Sequence, residues 1–150
     1  MILLDTNVLS ELMRSSPSRR VVKWLDARLD SNLWISAVTV AEIRLGLSLL
    51  PDGARKILLL ELAEQMFDED FSKKCLPFDC EAALQYGFIV SERTRQGRPI
   101  SVEDAQIAAI ALTSQLVLAT RNVKDFKGIK ALKLVNPWLD GHSSAIYLNP

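Results

Sequence analysis

The sequence predicts an α/β fold: a central parallel β-sheet of four to five strands flanked by helices on both sides. Three observations carry that reading. Short apolar runs that do not alternate with polar residues, such as Ile2-Leu3-Leu4 and Leu116-Val117-Leu118-Ala119, suit strands covered on both faces. Segments with helical apolar spacing separate these runs, and a strand–helix–strand succession favours parallel pairing. The runs also stop abruptly at polar residues: Asp5-Thr6-Asn7 after the first, and Thr120-Arg121-Asn122 after a later one. In open α/β sheets, ligands collect beyond such strand ends.

In order, the first strand is followed by a short helix from Val8 to Met13, broken by Ser15-Ser16-Pro17, and by a Ser18-capped helix over residues 19–29. Leu33-Trp34-Ile35-Ser36 reads as the second strand. Thr39-Val40-Ala41-Glu42 has the form of a capping box opening a helix to about Leu50. After Pro51-Asp52-Gly53, residues 54–71 form a long amphipathic helix with Ile57, Leu58, Leu62, Met66 and Phe67 as its apolar positions. Asp68-Glu69-Asp70 is its solvated end. A weak strand at residues 75–78 precedes a helix capped by Asp79 and stopped by Gly97. Ser101-Val102-Glu103-Asp104 opens an almost wholly apolar helix over residues 105–112, which must be buried on most sides. Residues 116–119 and 132–135 complete the strands, with residues 123–128 between them as a loop.

The length of 150 residues suits one domain, assigned to residues 1–140; residues 141–150, without period or core-type pattern, read as a flexible tail. The 18 basic and 18 acidic residues cancel, so any nucleic-acid surface must be local. Cys75 and Cys80 with a single His cannot complete a zinc set, and read as buried small residues in a reducing compartment. The start lacks the form of a signal peptide and no run is long enough to span a bilayer, so a soluble cytoplasmic protein is expected, with no membrane partner.

Four acids stand out by position. Asp5 ends the first strand, Asp125 follows the strand at 116–119, and Glu42 and Asp104 each fall at the third position of a helix. Singly, each has a structural explanation: Asp5 or Thr6 as a helix cap, Glu42 and Asp104 as closers of capping boxes, Asp125 as a turn residue. Jointly, strand C-termini and the N-termini of the following helices share one sheet edge, so the four carboxylates converge. Gathered carboxylates repel unless a cation lies among them, and oxygen ligands without His or Cys select Mg²⁺ or Mn²⁺.

The ordered combination of LLDTN, SAVTVAEIRLG, SVEDAQIAAIA and LATRNVKDF, closed by NPW, resembles the PIN-domain family, and within it the VapC- and FitB-like toxins of bacterial toxin–antitoxin pairs. The resemblance runs from Met1 to about Asp140. It implies a PIN-like fold, a Mg²⁺- or Mn²⁺-dependent endoribonuclease leaving a 5′-phosphate, a VapB-like antitoxin partner, operator DNA bound through that antitoxin, and a homodimer. Carried over by position, its metal-binding acids fall on Asp5, Glu42 and Asp104. The fourth place goes to Asp125 or to Asn122, which carries no charge. Thr6, Asn7 and Thr120 are candidates for supporting hydrogen bonds. With the four acids set aside the chain is formally basic, and Arg14, Arg19, Arg20, Arg44, Arg98, Arg121 and Lys124 are candidates for RNA-phosphate contacts.

Two other functions fit parts of the pattern. A phosphoacceptor or phosphohydrolase also places an Asp after its first strand, but the haloacid-type motif wants a second Asp two residues on, where this chain has Asn7. A PIN scaffold that mainly regulates DNA binding through its partner would tolerate Asn122.

Overall fold

Strands β1 (Ile2–Leu4), β2 (Leu33–Ser36), β3 (Cys75–Leu76), β4 (Val117–Ala119) and β5 (Lys133–Val135) lie parallel in the order β3-β2-β1-β4-β5. The computed structural model describes residues 1–28, 33–139 and 147–148. Around the sheet pack helices α1 (Thr6–Leu12), α2 (Arg19–Asp26), α3 (Ala37–Ser48), α4 (Ala54–Gln65), α5 (Cys80–Arg95), α6 (Val102–Thr113) and the short α7 (Val123–Phe126).

Both sheet faces are covered, which is why the strands show no alternation. Consecutive strand residues point to opposite faces. Leu3, Leu118 and Leu134 enter one core with Ile107, Ile110 and Phe126. Leu4, Ala119 and Val135 enter the other with Val8, Leu9, Val21 and Ile43. On the first side Ala105, Ala108, Ala109 and Ala111 are all fully buried on α6, and such small side chains let α5 and the sheet approach closely.

Strand order reverses at β1, so helices leave on opposite faces of β1 and β4 and a crevice opens beyond their carboxyl ends. The ladder continues one residue into it. Asp5 N–H donates to Ala119 O at 3.0 Å, and Thr120 N–H to Val135 O at 2.9 Å. Asp5 and Thr120 thus have strand-anchored backbones and side chains at the crevice.

Several local expectations change. The cap of α3 is Ser36, whose Oγ accepts from Thr39 N–H at 3.0 Å, so Thr39 is the third helical residue and Glu42 lies a turn further in. The long helix after Gly53 tightens differently: α4 stops at Gln65 and Met66–Asp70 continue as one π-helical turn. Of the expected apolar positions, Ile57, Leu58 and Leu62 are exposed; the buried residues of this stretch are Ala63 of α4 and, beyond it, Phe67 and Phe71. Cys75 and Cys80 are also exposed, because β3 is the sheet edge and Cys80 opens α5 on the outside. The expected loop at 123–128 contains α7. Of the supposed tail, Tyr147–Leu148 form β6, antiparallel to β5; the remaining tail residues lie outside those described. Gly97 terminates α5 as expected: at φ 66° it lets Arg98 N–H reach Arg93 O at 2.9 Å. Among the described residues no helix is long and apolar enough to cross a membrane.

Ser36 and Thr39 are fully buried and their hydroxyls meet at 3.0 Å. Ser36→Ala removes the α3 cap and orphans Thr39 N–H, so it should cost about 1–2 kcal/mol in urea denaturation. An unchanged midpoint would show that the cap contributes nothing.

Candidate active site

Asp5 is only 3% exposed, and three donors converge on its carboxylate. It caps α1: Thr6 N–H donates to Oδ1 at 2.8 Å. Oδ2 accepts from Thr120 Oγ1 at 2.6 Å and from Asn7 Nδ2 at 2.6 Å. Capping and site formation are therefore one arrangement rather than alternatives. Asn7 extends the net: its Nδ2 also reaches Thr120 Oγ1 at 3.2 Å, and its Oδ1 accepts from Arg121 N–H at 3.1 Å. Thr120 Oγ1 in turn accepts from Asn122 N–H at 2.9 Å. The expected supporting roles of Thr6, Asn7 and Thr120 thus have a geometric basis, tying β1 to the segment after β4.

The other acids approach from separate elements. Glu42, half-buried on α3, accepts a hydrogen bond from Thr6 Oγ1. Asp104, half-buried, is the third residue of α6, and its N–H donates to the Ser101 cap at 3.1 Å. Asp125 stands third in α7 and is half-buried. Their charges reach one another. Burial, chiefly, with repulsion from Asp104 and Glu42, pushes the Asp5 carboxyl up to about 6, against the opposing hydrogen bonds from Thr120 and Thr6. Burial likewise raises Asp104, with Asp125 and Glu103 adding repulsion. The repulsions link the acids as a row, Glu42 to Asp5, Asp5 to Asp104 and Asp104 to Asp125.

Among the described residues no Lys or Arg forms an ion pair with any acid of this row. Nor do any three of the described His, Cys, Asp or Glu side chains stand close enough to hold one ion as they are, so loading the site requires side-chain rotation. The donor set, carboxylate oxygens with hydroxyl and amide neighbours and no thiol or imidazole, is that of a hard divalent cation.

The candidate phosphate-binding residues divide. Arg44 is committed elsewhere, forked onto Glu64 at 2.6 and 3.0 Å and lying over the Phe67 ring. Arg14 pairs with Glu11, Arg20 reaches Trp138 O, and Arg121 covers the Trp138 ring. Arg19, Arg98 and Lys124 are exposed, Lys124 adjoining Asp125 in α7. Asn122 is exposed and its side chain makes no cap hydrogen bond to α7. Arg93, unremarked in the sequence, is buried and binds the α7 backbone; only its place on the inner face of α5 could have signalled this.

Residues 2–132 match the family model described as "PIN domain". The chain is 43% identical over 140 residues to toxin FitB of Neisseria gonorrhoeae, covering 93% of this chain and 100% of that protein. It is 37% identical over 138 residues to VapC ribonuclease Y4jK of Sinorhizobium fredii, covering 92% and 98%. The structure of FitAB bound to an IR36 DNA fragment superposes with a TM-score of 0.86 at 42% identity, over 95% of this chain and 99% of that one.

Asp5 has an ordinary value of 3.8 and holds its proton to about 6 in the fold, so between these values the folded state carries the extra proton. Stability of metal-free protein should therefore fall as pH rises through that interval, by roughly 3 kcal/mol at most. Urea melts in EDTA from pH 3.5 to 7 should show this slope, and Asp5→Asn should remove most of it. An identical slope in the variant would place the titration elsewhere.

Proposed function

The chain belongs to the PIN-domain family, and we propose that it is the endoribonuclease toxin of a toxin–antitoxin pair, hydrolysing RNA phosphodiester bonds with Mg²⁺ or Mn²⁺. One observation carries the reading: Asp5 is buried among Glu42 and Asp104 with no described basic side chain paired to any of them. Capping α1 accounts for the hydrogen bonds of Asp5 but not for the neighbouring acids, whose repulsion a bound cation would offset. Asp5, Glu42 and Asp104 would hold the ion, with Asp125 completing the row. A bound dication supplies the positive charge that acidifies water and offsets charge on phosphate oxygens.

The protein's own groups divide the remaining work. Thr120, Asn7 and Thr6 N–H orient both Asp5 oxygens, and Thr6 Oγ1 holds Glu42. The exposed Lys124 and Arg98 suit phosphates flanking the cleaved bond. Water is the nucleophile in this reading; with the 3′ oxygen as the leaving group, as the family resemblance implies, a 5′-phosphate and a 3′-hydroxyl result. A regulatory scaffold with little nuclease activity is the second reading. It draws on Asn122, which puts an amide where some relatives place an acid.

The partner reading rests on a groove of about 800 Å³ between α1, α3 and α4, floored by Leu12, Met13, Leu47, Leu50, Leu58 and Leu62. An amphipathic antitoxin helix is the occupant proposed, leaving the antitoxin's other end for operator DNA; the FitAB structure is bound to a DNA fragment. Leu84 and Phe88, exposed one turn apart on α5, offer an apolar face to a second copy in a homodimer.

Asp5→Asn and Asp104→Asn should each reduce Mg²⁺-dependent RNA cleavage by partner-free protein to the level seen with EDTA, with folding intact by circular dichroism; Asp125→Ala should lose less. Full cleavage by either folded Asn variant removes that residue from the site. Leu62→Glu should abolish co-purification of a co-expressed antitoxin while leaving cleavage intact. Retained pairing would move the partner off this groove.

A further inference from the structure

We propose that Arg93 is a positioning residue for the acid row: its guanidinium clamps the backbone of α7 so that Asp125, rather than Asn122, supplies the fourth acid. This rests on the metal-dependent reading above. Arg93 is 5% exposed near the end of α5. Its Nη2 donates to Asp125 O at 3.1 Å and its Nη1 to Lys127 O at 2.9 Å. The two carbonyls flank Phe126, which is fully buried, so one planar fork and one anchored ring fix the same turn.

The arrangement is unusual for a buried cation. Burial and the neighbouring Arg98 both disfavour its charge, and among the described residues no carboxylate forms an ion pair with it. Its Nε has no hydrogen-bond partner. What favours the charge is Asp125 itself. Arg93 thereby holds the segment that carries Asp125, the acid that repels Asp104. Asn122 is held through its backbone, its N–H by Thr120 Oγ1 and its carbonyl by Asp125 N–H, while its exposed side chain makes no cap bond and carries no charge. The terminating turn of α5 belongs to the same device. Arg98 N–H binds Arg93 O, and Arg98 Nη1 lies 3.2 Å from where a side chain on Gly128 would begin, so the 125–128 turn closes against this helix end.

Mn²⁺ titration calorimetry on the full-length, partner-free protein tests the clamp with Arg93→Met, Asp125→Asn and the double variant. Arg93→Met should weaken Mn²⁺ by about tenfold, as loss of groups that orient ligands does, and should add no further loss in the Asp125→Asn background. Unchanged affinity in folded Arg93→Met, or the same loss in both backgrounds, overturns the proposal. Should Arg93→Met not fold, Arg93→Lys decides: an ammonium lacks the planar fork that meets the two carbonyls in fixed geometry, so Mn²⁺ should still weaken, and wild-type affinity overturns the proposal. Hydrogen exchange at the Asp125 and Lys127 amides gives a metal-free reading, faster in the variant if the clamp exists and unchanged if it does not. Wild-type protein that binds no Mn²⁺ would instead sink the metal-site reading, and exchange would then judge the clamp alone.

Discussion

A carboxylate withdrawn from water and set among other carboxylates is the constraint that organises this protein. Asp5 loses most of its hydration at the end of β1, and the surrounding chain replaces it with three donors from two strand ends: Thr6 N–H, the Asn7 amide and the Thr120 hydroxyl. Those bonds favour the ionised form, yet burial and the neighbouring acids outweigh them, so the carboxyl remains hard to ionise without a cation. The same bonds couple β1 to the segment after β4, making the least comfortable charge also a cross-link of the crevice.

The fold supplies rigidity where that charge sits. Covering both sheet faces buries most side chains of the central strands, and the ladder extends into Asp5 and Thr120, so their positions are set by backbone pairing. α6 brings Asp104 in on an almost wholly apolar helix whose alanines permit close packing, leaving it little freedom to withdraw. Glu42 is less fixed by its own element, since it lies one turn inside α3, and the hydroxyl of Thr6 compensates by drawing it toward Asp5.

Polar and apolar surfaces are partitioned by the same architecture. α4 turns Leu58 and Leu62 toward an open groove, and a π-helical turn at its end redirects Phe67 into the core. Arg44, which seemed placed to meet phosphate, is instead held by Glu64 and by the ring of Phe67, bracing α3 against α4 beside that groove. The basic side chains left exposed near the acids lie at the other end, around α7 and the turn after α5.

The sequence by itself determined the parallel α/β architecture and the positions of Asp5 and Asp104, because unbroken apolar runs, the caps at Asp79 and Ser101 and the stop at Gly97 are local signals that packing reinforces. It read Glu42 from a mistaken cap: Thr39 offered the capping-box pattern, and the buried Ser36 hydroxyl took the role because β2 runs directly into α3. The exposure of Ile57, Leu58 and Leu62 was illegible, since apolar periodicity does not say whether the surface that covers a helix belongs to the same chain. The exposure of the two cysteines followed from β3 being an edge strand, which only sheet order reveals. Likewise, only the tertiary structure decided that Arg93 reaches the carbonyls of Asp125 and Lys127, because a contact across more than thirty residues leaves no trace in local pattern.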